Sequence, residues 1–246
     1  MNFLKQHFST LIIAAAVIIT GLILGKSYLS KGKPDDTVSV TGLGEESFDS
    51  DLIVWKASFS RTSYELKDAY AQLNTDLRRV KSYLKSRGIT DDEMVFEAAE
   101  IEKLWSRVYD DEGNLTQTTF DGYALKQHLK ISSKKVDIVE NTSRQVSELI
   151  DAGIELNSEA PEYYYTKLAK LKLQMIEAAT RDAHDRAAKI AENGGGELGK
   201  LMFADMGIFQ ITAENSSEEY EWGGSFNTNS RRKTASVTIR LKYAID

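Results

Sequence analysis

One apolar run near the amino terminus limits most strongly what this chain can become. The stretch Phe8–Leu24 is uninterrupted by charge, and no second run like it follows in the rest of the sequence. Its length lies at the short end of the roughly 17 to 25 residues that a helix needs to cross the ~30 Å hydrocarbon core of a bilayer. The run therefore predicts one transmembrane helix, followed by a long, charged remainder.

A cleaved secretory signal is the alternative interpretation of this run. Such a signal has an apolar core of only about 7 to 15 residues and a cleavage site between small residues. Only Gly25 and Ser27 offer such a site, and the absence of cysteine excludes a lipoprotein signal. We divide the chain into an anchor or uncleaved signal (residues 1–27), a linker (28–36) and an α+β domain (37–246).

The lysines that flank the run bear on its orientation. Lys5 precedes the run, whereas Lys26, Lys31 and Lys33 follow it. Because positive flanks favour the cytoplasm, this count alone predicts a cytoplasmic body. The opposite placement, which we prefer, rests on a family resemblance described below.

Composition excludes several classes of function. The formal net charge is -6 with a pI near 5.3, and no basic stripe interleaved with aromatics is present, so we exclude nucleic-acid binding. The chain has no cysteine, which removes disulfides, thiolate metal sites and thiol nucleophiles together. The roughly 210 residues after the linker suffice for one large domain or two small ones.

Periodicity predicts helices and strands in the order of an α+β fold. Steps of three and four residues from Leu66 to Leu84 predict a helix with a Schellman-type stop at Arg87-Gly88-Ile89, and Ala152-Gly153-Ile154 repeats that stop after a second helix. Period-2 alternation predicts strands at Thr37–Thr41, Leu52–Phe59, Met94–Tyr109, Tyr123–Ile131, Leu198–Ala213 and Ala235–Ile245. Gly42-Leu-Gly44 is expected to separate the first two strands, and Asp110–Asn114 to form a hairpin turn. The prediction is mainly antiparallel sheet with helices packed on one face, preceded by one N-terminal transmembrane helix.

The longest predicted helix runs from Ser158 to about Glu192. Pro161 suits a first helical turn, and a broad alanine-rich face predicts close packing on a sheet or on another helix. Tyr163, Tyr164 and Tyr165 then lie at consecutive helical positions and cannot all face one core. Because tyrosine is enriched at interfaces, this run is a candidate subunit or partner contact.

No residue pattern supports a catalytic, cofactor-binding or metal-binding site. Gly42-x-Gly44-x-x-Ser47 lacks the third glycine and the following helix of a dinucleotide fingerprint. Asp110-Asp-Glu-Gly113 lacks the ligand spacing of a calcium loop, so a hairpin turn is favoured over cation binding. His128 lies among lysines on a polar strand face, and His184 lies beside Asp185 on the long helix. We therefore predict no catalytic residues, no cofactor and no metal.

Four segments resemble the SIMPL-domain family. They are Val38–Glu45, similar to the family's V-x-V-x-G-x-G-E start; Leu84–Glu93; Phe120–Tyr123 before the strand to Ser132; and Ala187–Ala191 leading to Glu197–Lys200. The resemblance extends from about Thr37 to Ile245. The segment around Trp105 and the acidic loop before Arg231 depart from the family pattern.

The resemblance implies a secreted or membrane-anchored bacterial protein that self-associates, and it transfers no catalytic residue. We therefore expect a single-pass inner-membrane protein with its body in the periplasm or extracytoplasmic space. It is expected to be a non-enzymatic envelope assembly or binding module that forms homo-oligomers and does not bind nucleic acid. Two alternatives stay open: a hydrolase using carboxylates in a cleft, and an adaptor on the cytoplasmic side.

Overall fold

The computed structural model describes residues 2–31, 36–216 and 223–246, with side chains in the first range limited to residues 12–26. The described α-helices are α1 (Asn2–Lys31), α2 (Leu66–Ser86), α3 (Val136–Gln145) and α4 (Leu168–Asn193). The described strands are β1 (Thr37–Asp49), β2 (Leu52–Ser63), β3 (Met94–Phe96), β4 (Glu100–Tyr109), β5 (Leu115–Ser133), β6 (Leu156–Ser158), β7 (Glu162–Tyr164), β8 (Leu198–Met206), β9 (Gln210–Ala213) and β10 (Arg232–Ile245). The predicted α+β class with antiparallel sheet is confirmed.

The apolar run Phe8–Leu24 lies within α1. In the part of the chain with described side chains, we find no helix that combines the length and the apolarity needed to span a membrane. The transmembrane anchor stays a prediction from the sequence.

The chain divides into two compact units. One comprises Met1–Thr41, Ala183–Asp205 and Arg240–Asp246, and the other comprises Gly42–Asp182 and Met206–Ile239. Strands β1, β10 and β8 are hydrogen-bonded in that order, and β9 pairs antiparallel with β10. A six-stranded sheet, with β3, β5, β2 and β6 in order, β4 beside β5 and β7 beside β2, lies wholly in the second unit.

The core of the second unit lies between this six-stranded sheet and two helices. Alternate residues of β2 and β5, such as Trp55 and Ile131, are fully buried together with Leu73 of α2 and Val139 of α3. The period-2 pattern of the strands and the 3.6-residue pattern of α2 therefore meet in one core. Helices α2 and α3 share one face of the sheet, as predicted.

Both predicted glycine stops are present. Gly88 has φ +91°, and the amide of Ile89 donates to the carbonyl of Leu84 over 3.1 Å. Gly153 has φ +73°, and Ile154 donates to Leu149 over the same distance. The left-handed conformation that each stop requires is the reason for glycine at both positions.

Several predicted boundaries are wrong, and the predicted strand Leu198–Ala213 is split into β8 and β9. Strand β1 continues through Gly42-Leu-Gly44 and ends at Asp49, because Gly44 fits against helix α4 inside the sheet. The extended segment Met94–Tyr109 is split into β3 and β4, which both pair with β5. The long helix begins at Leu168, because residues 162–164 form β7 and pair with β2.

Candidate interaction surface

The most exposed structured element of the second unit is the hairpin formed by β4 and the first part of β5. The two strands pair antiparallel from Glu100 opposite Lys126 to Tyr109 opposite Leu115. The turn between them is closed by Asp110, whose carboxylate accepts hydrogen bonds from the amides of Glu112 and Asn114 at 3.1 and 2.8 Å. These bonds lower the pKa of Asp110, so the acidic tetrapeptide is a hairpin turn as favoured above.

A bulge lies in the middle of this hairpin. Leu104 is opposite Gly122, whereas Trp105 is opposite Phe120, so Asp121 is the extra residue of β5. Gly122 has φ +115°, and a side chain there would meet the carbonyl oxygen of Ser63 at 2.7 Å. Because the extra residue belongs to β5, the outer edge of β4 continues past the bulge.

Large apolar side chains on the hairpin face solvent. Five of them are each more than half exposed: Ile101, Trp105, Val108, Tyr109 and Leu115. Ile101, Trp105 and Tyr109 lie at alternate positions of β4 and share one face, and exposed apolar sets of this kind mark interaction sites. An isolated two-stranded hairpin is also marginally stable in water, so a partner that covers it would stabilise it.

Aromatic rings hold the base of the hairpin on the sheet. The Phe120 ring lies edge-on to Tyr64, Trp105 and Tyr123, with centroid distances of 5.4, 5.5 and 5.1 Å. A groove of about 480 Å³ opens beside them, and Leu66 and Tyr70 of α2 line it together with Ile101. We define the hairpin surface as the five exposed apolar residues named above and this groove.

The outer edge of β4 is not paired with another strand within the described residues, since β4 pairs with β5 alone. Such an edge presents unpaired N–H and C=O groups and is a template for adding a strand. Strand β4 contains no proline, so nothing in its own sequence removes a donor from this ladder.

Strand β8 carries a second exposed apolar set. Leu201, Met202 and Phe203 are each about half exposed, and consecutive strand residues point to opposite faces. The self-complementary sequence of β4 makes the hairpin the stronger candidate, as argued under Proposed function.

Tyr163 and Tyr164 lie in strand β7 and not in the helix that we predicted, whereas the partner contact stays a prediction. Tyr163 is buried, and its hydroxyl donates to Glu140 over 3.0 Å. Tyr164 donates to Glu162 over 2.9 Å, and the Tyr165 ring packs against Phe48 with centroids 4.6 Å apart. In a strand that pairs with β2, alternate side chains face inward, which the helical prediction missed.

The two histidines with described side chains, His128 and His184, lie beside carboxylates. His128 Nε2 is 3.5 Å from Glu100 Oε2 on the neighbouring strand, and His184 Nδ1 is 3.3 Å from Asp185 Oδ1. Among the described residues, no group of three or more His, Asp or Glu side chains has metal-ligand geometry.

A carboxylate hydrolase requires a general acid with a raised pKa. Hydrogen bonds or cationic neighbours lower the pKa values of four carboxyl groups: Asp91, Glu93, Asp110 and Glu214. These carboxylates take part in ion pairs, a helix cap and a turn. These groups do not provide the general acid that the hydrolase alternative needs.

The chain is an α+β protein with an exposed apolar hairpin. The model of the SIMPL family, described as a protein of unknown function (DUF541), matches residues 38–243. The chain therefore belongs to the SIMPL family, as the resemblance predicted. A search of characterised proteins gave no significant match.

Proposed function

We propose that this SIMPL protein is a membrane-tethered, non-enzymatic assembly module of the bacterial envelope that self-associates through the outer edge of β4. The exposed apolar hairpin is the observation that carries the proposal. A second copy is the proposed occupant because the sequence of β4 complements itself when two such strands pair antiparallel.

The complementarity follows from the register of a twofold pair. If the axis passes through Leu104, its two copies face each other, and Lys103 of each copy faces Trp105 of the other. An ammonium group then lies against an indole ring on both sides of the axis, and Glu102 faces Ser106. A twofold interface of this kind is isologous and closed, and it pairs the edge that would otherwise promote aggregation.

A charge introduced at Ser106 tests this register. We expect Ser106→Glu to place a carboxylate opposite Glu102 at two symmetric positions, and to weaken self-association of the full chain in detergent by about 5- to 30-fold. Ser106→Glu combined with Glu102→Lys should restore association, because each introduced carboxylate then faces an ammonium group. Multi-angle light scattering across a concentration series measures the result.

Ser106→Gln is the matched control, because it introduces a neutral side chain of the same length at the same position. Its association should stay within about twofold of the unaltered chain. Equal weakening by Ser106→Gln and Ser106→Glu, or a double variant as weak as Ser106→Glu, would contradict the proposed edge.

The tether and the side of the membrane form a separate part of the proposal. The apolar run Phe8–Leu24 supports the tether, and family membership supports an extracytoplasmic body. An alkaline phosphatase fused after Asp246 should be active in cells, whereas a fluorescent reporter that folds only in the cytoplasm should stay dark at the same position. The opposite pair of signals would favour the cytoplasmic adaptor.

A further inference from the structure

A cavity beside the amino-terminal end of α3 is distinct from the hairpin surface. It has a volume of about 510 Å³ and lies within the second unit. Small-molecule sites typically occupy about 300 to 1,000 Å³. The cavity is therefore large enough for a small organic ligand.

The first turn of α3 forms one wall of this cavity. Val136, Asp137 and Ile138 line it, and the side chain of the preceding residue, Lys135, does not cap the helix. The first amides of a helix have no intrahelical acceptor, and the helix dipole makes this end positive. This wall therefore offers backbone N–H donors to an anion.

Ser50 is the independent observation that points to a ligand. Ser50 is 5 % exposed and lines the cavity, and its Oγ has no hydrogen-bond partner within the described residues. A buried hydroxyl without a partner is costly. A ligand oxygen at the cavity wall would satisfy it.

The charges around the cavity favour an anion. The carboxylate of Asp51 accepts two hydrogen bonds from Thr166, at 2.6 and 2.8 Å. Asp137 is paired with Arg231 Nη1 at 2.6 Å. Both acidic groups of the lining are thus already satisfied by protein donors.

Two cations of the lining are uncommitted. Lys134 and Lys167 line the cavity, and neither forms an ion pair within the described residues. Lys135, by contrast, is paired with Glu93 at 2.9 Å. Two ammonium groups, a hydroxyl and helix amides exceed what the two oxygens of a carboxylate can accept, whereas a phosphate has more acceptor oxygens.

We infer that this cavity binds a phosphate group, either free or carried as a monoester on a small molecule, between the α3 amides, Ser50, Lys134 and Lys167. The site joins a helix amino terminus to flexible cationic side chains, an arrangement suited to phosphate. The apolar parts of Val136 and Ile138 leave room for an organic substituent.

Calorimetric titration of the full chain in detergent tests the site with two probes, inorganic phosphate and glycerol 3-phosphate. We expect saturable binding of at least one probe, and the tighter of the two identifies the free anion or the ester as the preferred form. Lys134→Gln combined with Lys167→Gln should weaken this binding at least tenfold. Lys126→Gln combined with Lys130→Gln removes the same charge from two exposed lysines of β5 that do not line the cavity and should change binding less than twofold.

Ser50→Ala separates a binding role from a structural one. It should weaken phosphate binding about tenfold, because a hydrogen bond to a charged ligand is lost. It should not lower the melting temperature without ligand, because its Oγ contributes no hydrogen bond to the fold. Absence of saturable binding, equal binding of acetate, or unaltered affinity in both the Ser50 and the lysine variants would overturn the inference.

Discussion

Glu93 connects two elements of the second unit through one carboxylate. It closes a capping box with Thr90 at the short 3-10 helix Asp91–Glu93, and it accepts hydrogen bonds from Ser133 Oγ at 2.6 Å and Lys135 Nζ at 2.9 Å. Burial alone would raise the pKa of Glu93, but the donors outweigh it and hold the pKa at about 2, below its ordinary 4.5. The charged form is therefore the form that stabilises the fold.

This pKa predicts an acid-sensitive contribution to stability. Because the folded-state pKa lies below the unfolded value, the contribution is complete above about pH 4.5 and is lost as the pH falls toward about 2. Its upper limit is about 3 kcal/mol. We expect Glu93→Gln to lower the free energy of unfolding by about 2 kcal/mol at pH 7 and to flatten the dependence between pH 4.5 and 2.

Urea unfolding followed by circular dichroism measures both effects. Glu97→Gln is the control, since Glu97 is exposed on the same segment and its loss should change stability by less than about 0.5 kcal/mol. An unchanged acid dependence in Glu93→Gln would contradict this account of the cap.

The inward position of Lys233 could have been predicted from strand alternation alone. It shares the inward period of Ala235 and Val237 on β10, is fully buried, and donates to the carbonyl oxygen of Tyr163. Burial lowers the pKa of Lys233 to about 8. The predicted strand began at Ala235 because a lysine at a core position contradicts hydropathy, and only the neighbouring β7 supplies its acceptor.

Gly44 explains at the element level why a Gly-x-Gly motif lies within a strand. An added Cβ at this position would collide with the carbonyl oxygen of Met175 in α4 and lie 3.2 Å from the amide nitrogen of Ala179. The glycine permits close packing of β1 on the helix, and alanine at Ala179 belongs to the same close contact. The motif is thus structural, and no dinucleotide loop is present at this position.

Gly44→Ala is expected to destabilise the fold by about 1 to 3 kcal/mol, as overpacking against backbone does. Thermal unfolding of the full chain measures the loss. Gly223→Ala introduces the same methyl group where no atom lies within 4 Å, and it should change stability by less than about 0.5 kcal/mol. Equal melting temperatures for the two variants would show that β1 and α4 can separate without cost.

Local chemistry determined which elements were predictable. The stops at Gly88 and Gly153 were correct because each depends on one glycine and its immediate neighbours. The start of α4 was wrong because Glu162–Tyr164 pairs with β2, about a hundred residues earlier in the chain, and tertiary pairing overrides helix propensity. The cavity at α3 was not predictable, since Ser50, Lys134 and Lys167 are brought together by the fold alone.

At the scale of the whole molecule, the family could be identified from the sequence, but the surface could not. The SIMPL match covers residues 38–243, whereas the hairpin surface lies around Trp105, where the sequence departs from the family pattern. Its apolar residues look like an ordinary amphipathic strand until the structure leaves them exposed. The proposed self-association therefore depends on whether the β4 edges of two copies pair.

Site-specific disulfide formation tests that pairing most directly, since the chain contains no cysteine of its own. A chain with Glu102→Cys is expressed together with a chain with Ser106→Cys, and membranes are oxidised mildly. Directly opposed residues lie about 4.5 to 5.5 Å apart between Cα atoms, within the range of a disulfide. Tyr109→Cys in place of Ser106→Cys shifts the partner by three residues, about 10 Å. The account predicts a cross-linked dimer for the first pair and background for the second; background for both, or equal yields, would contradict it.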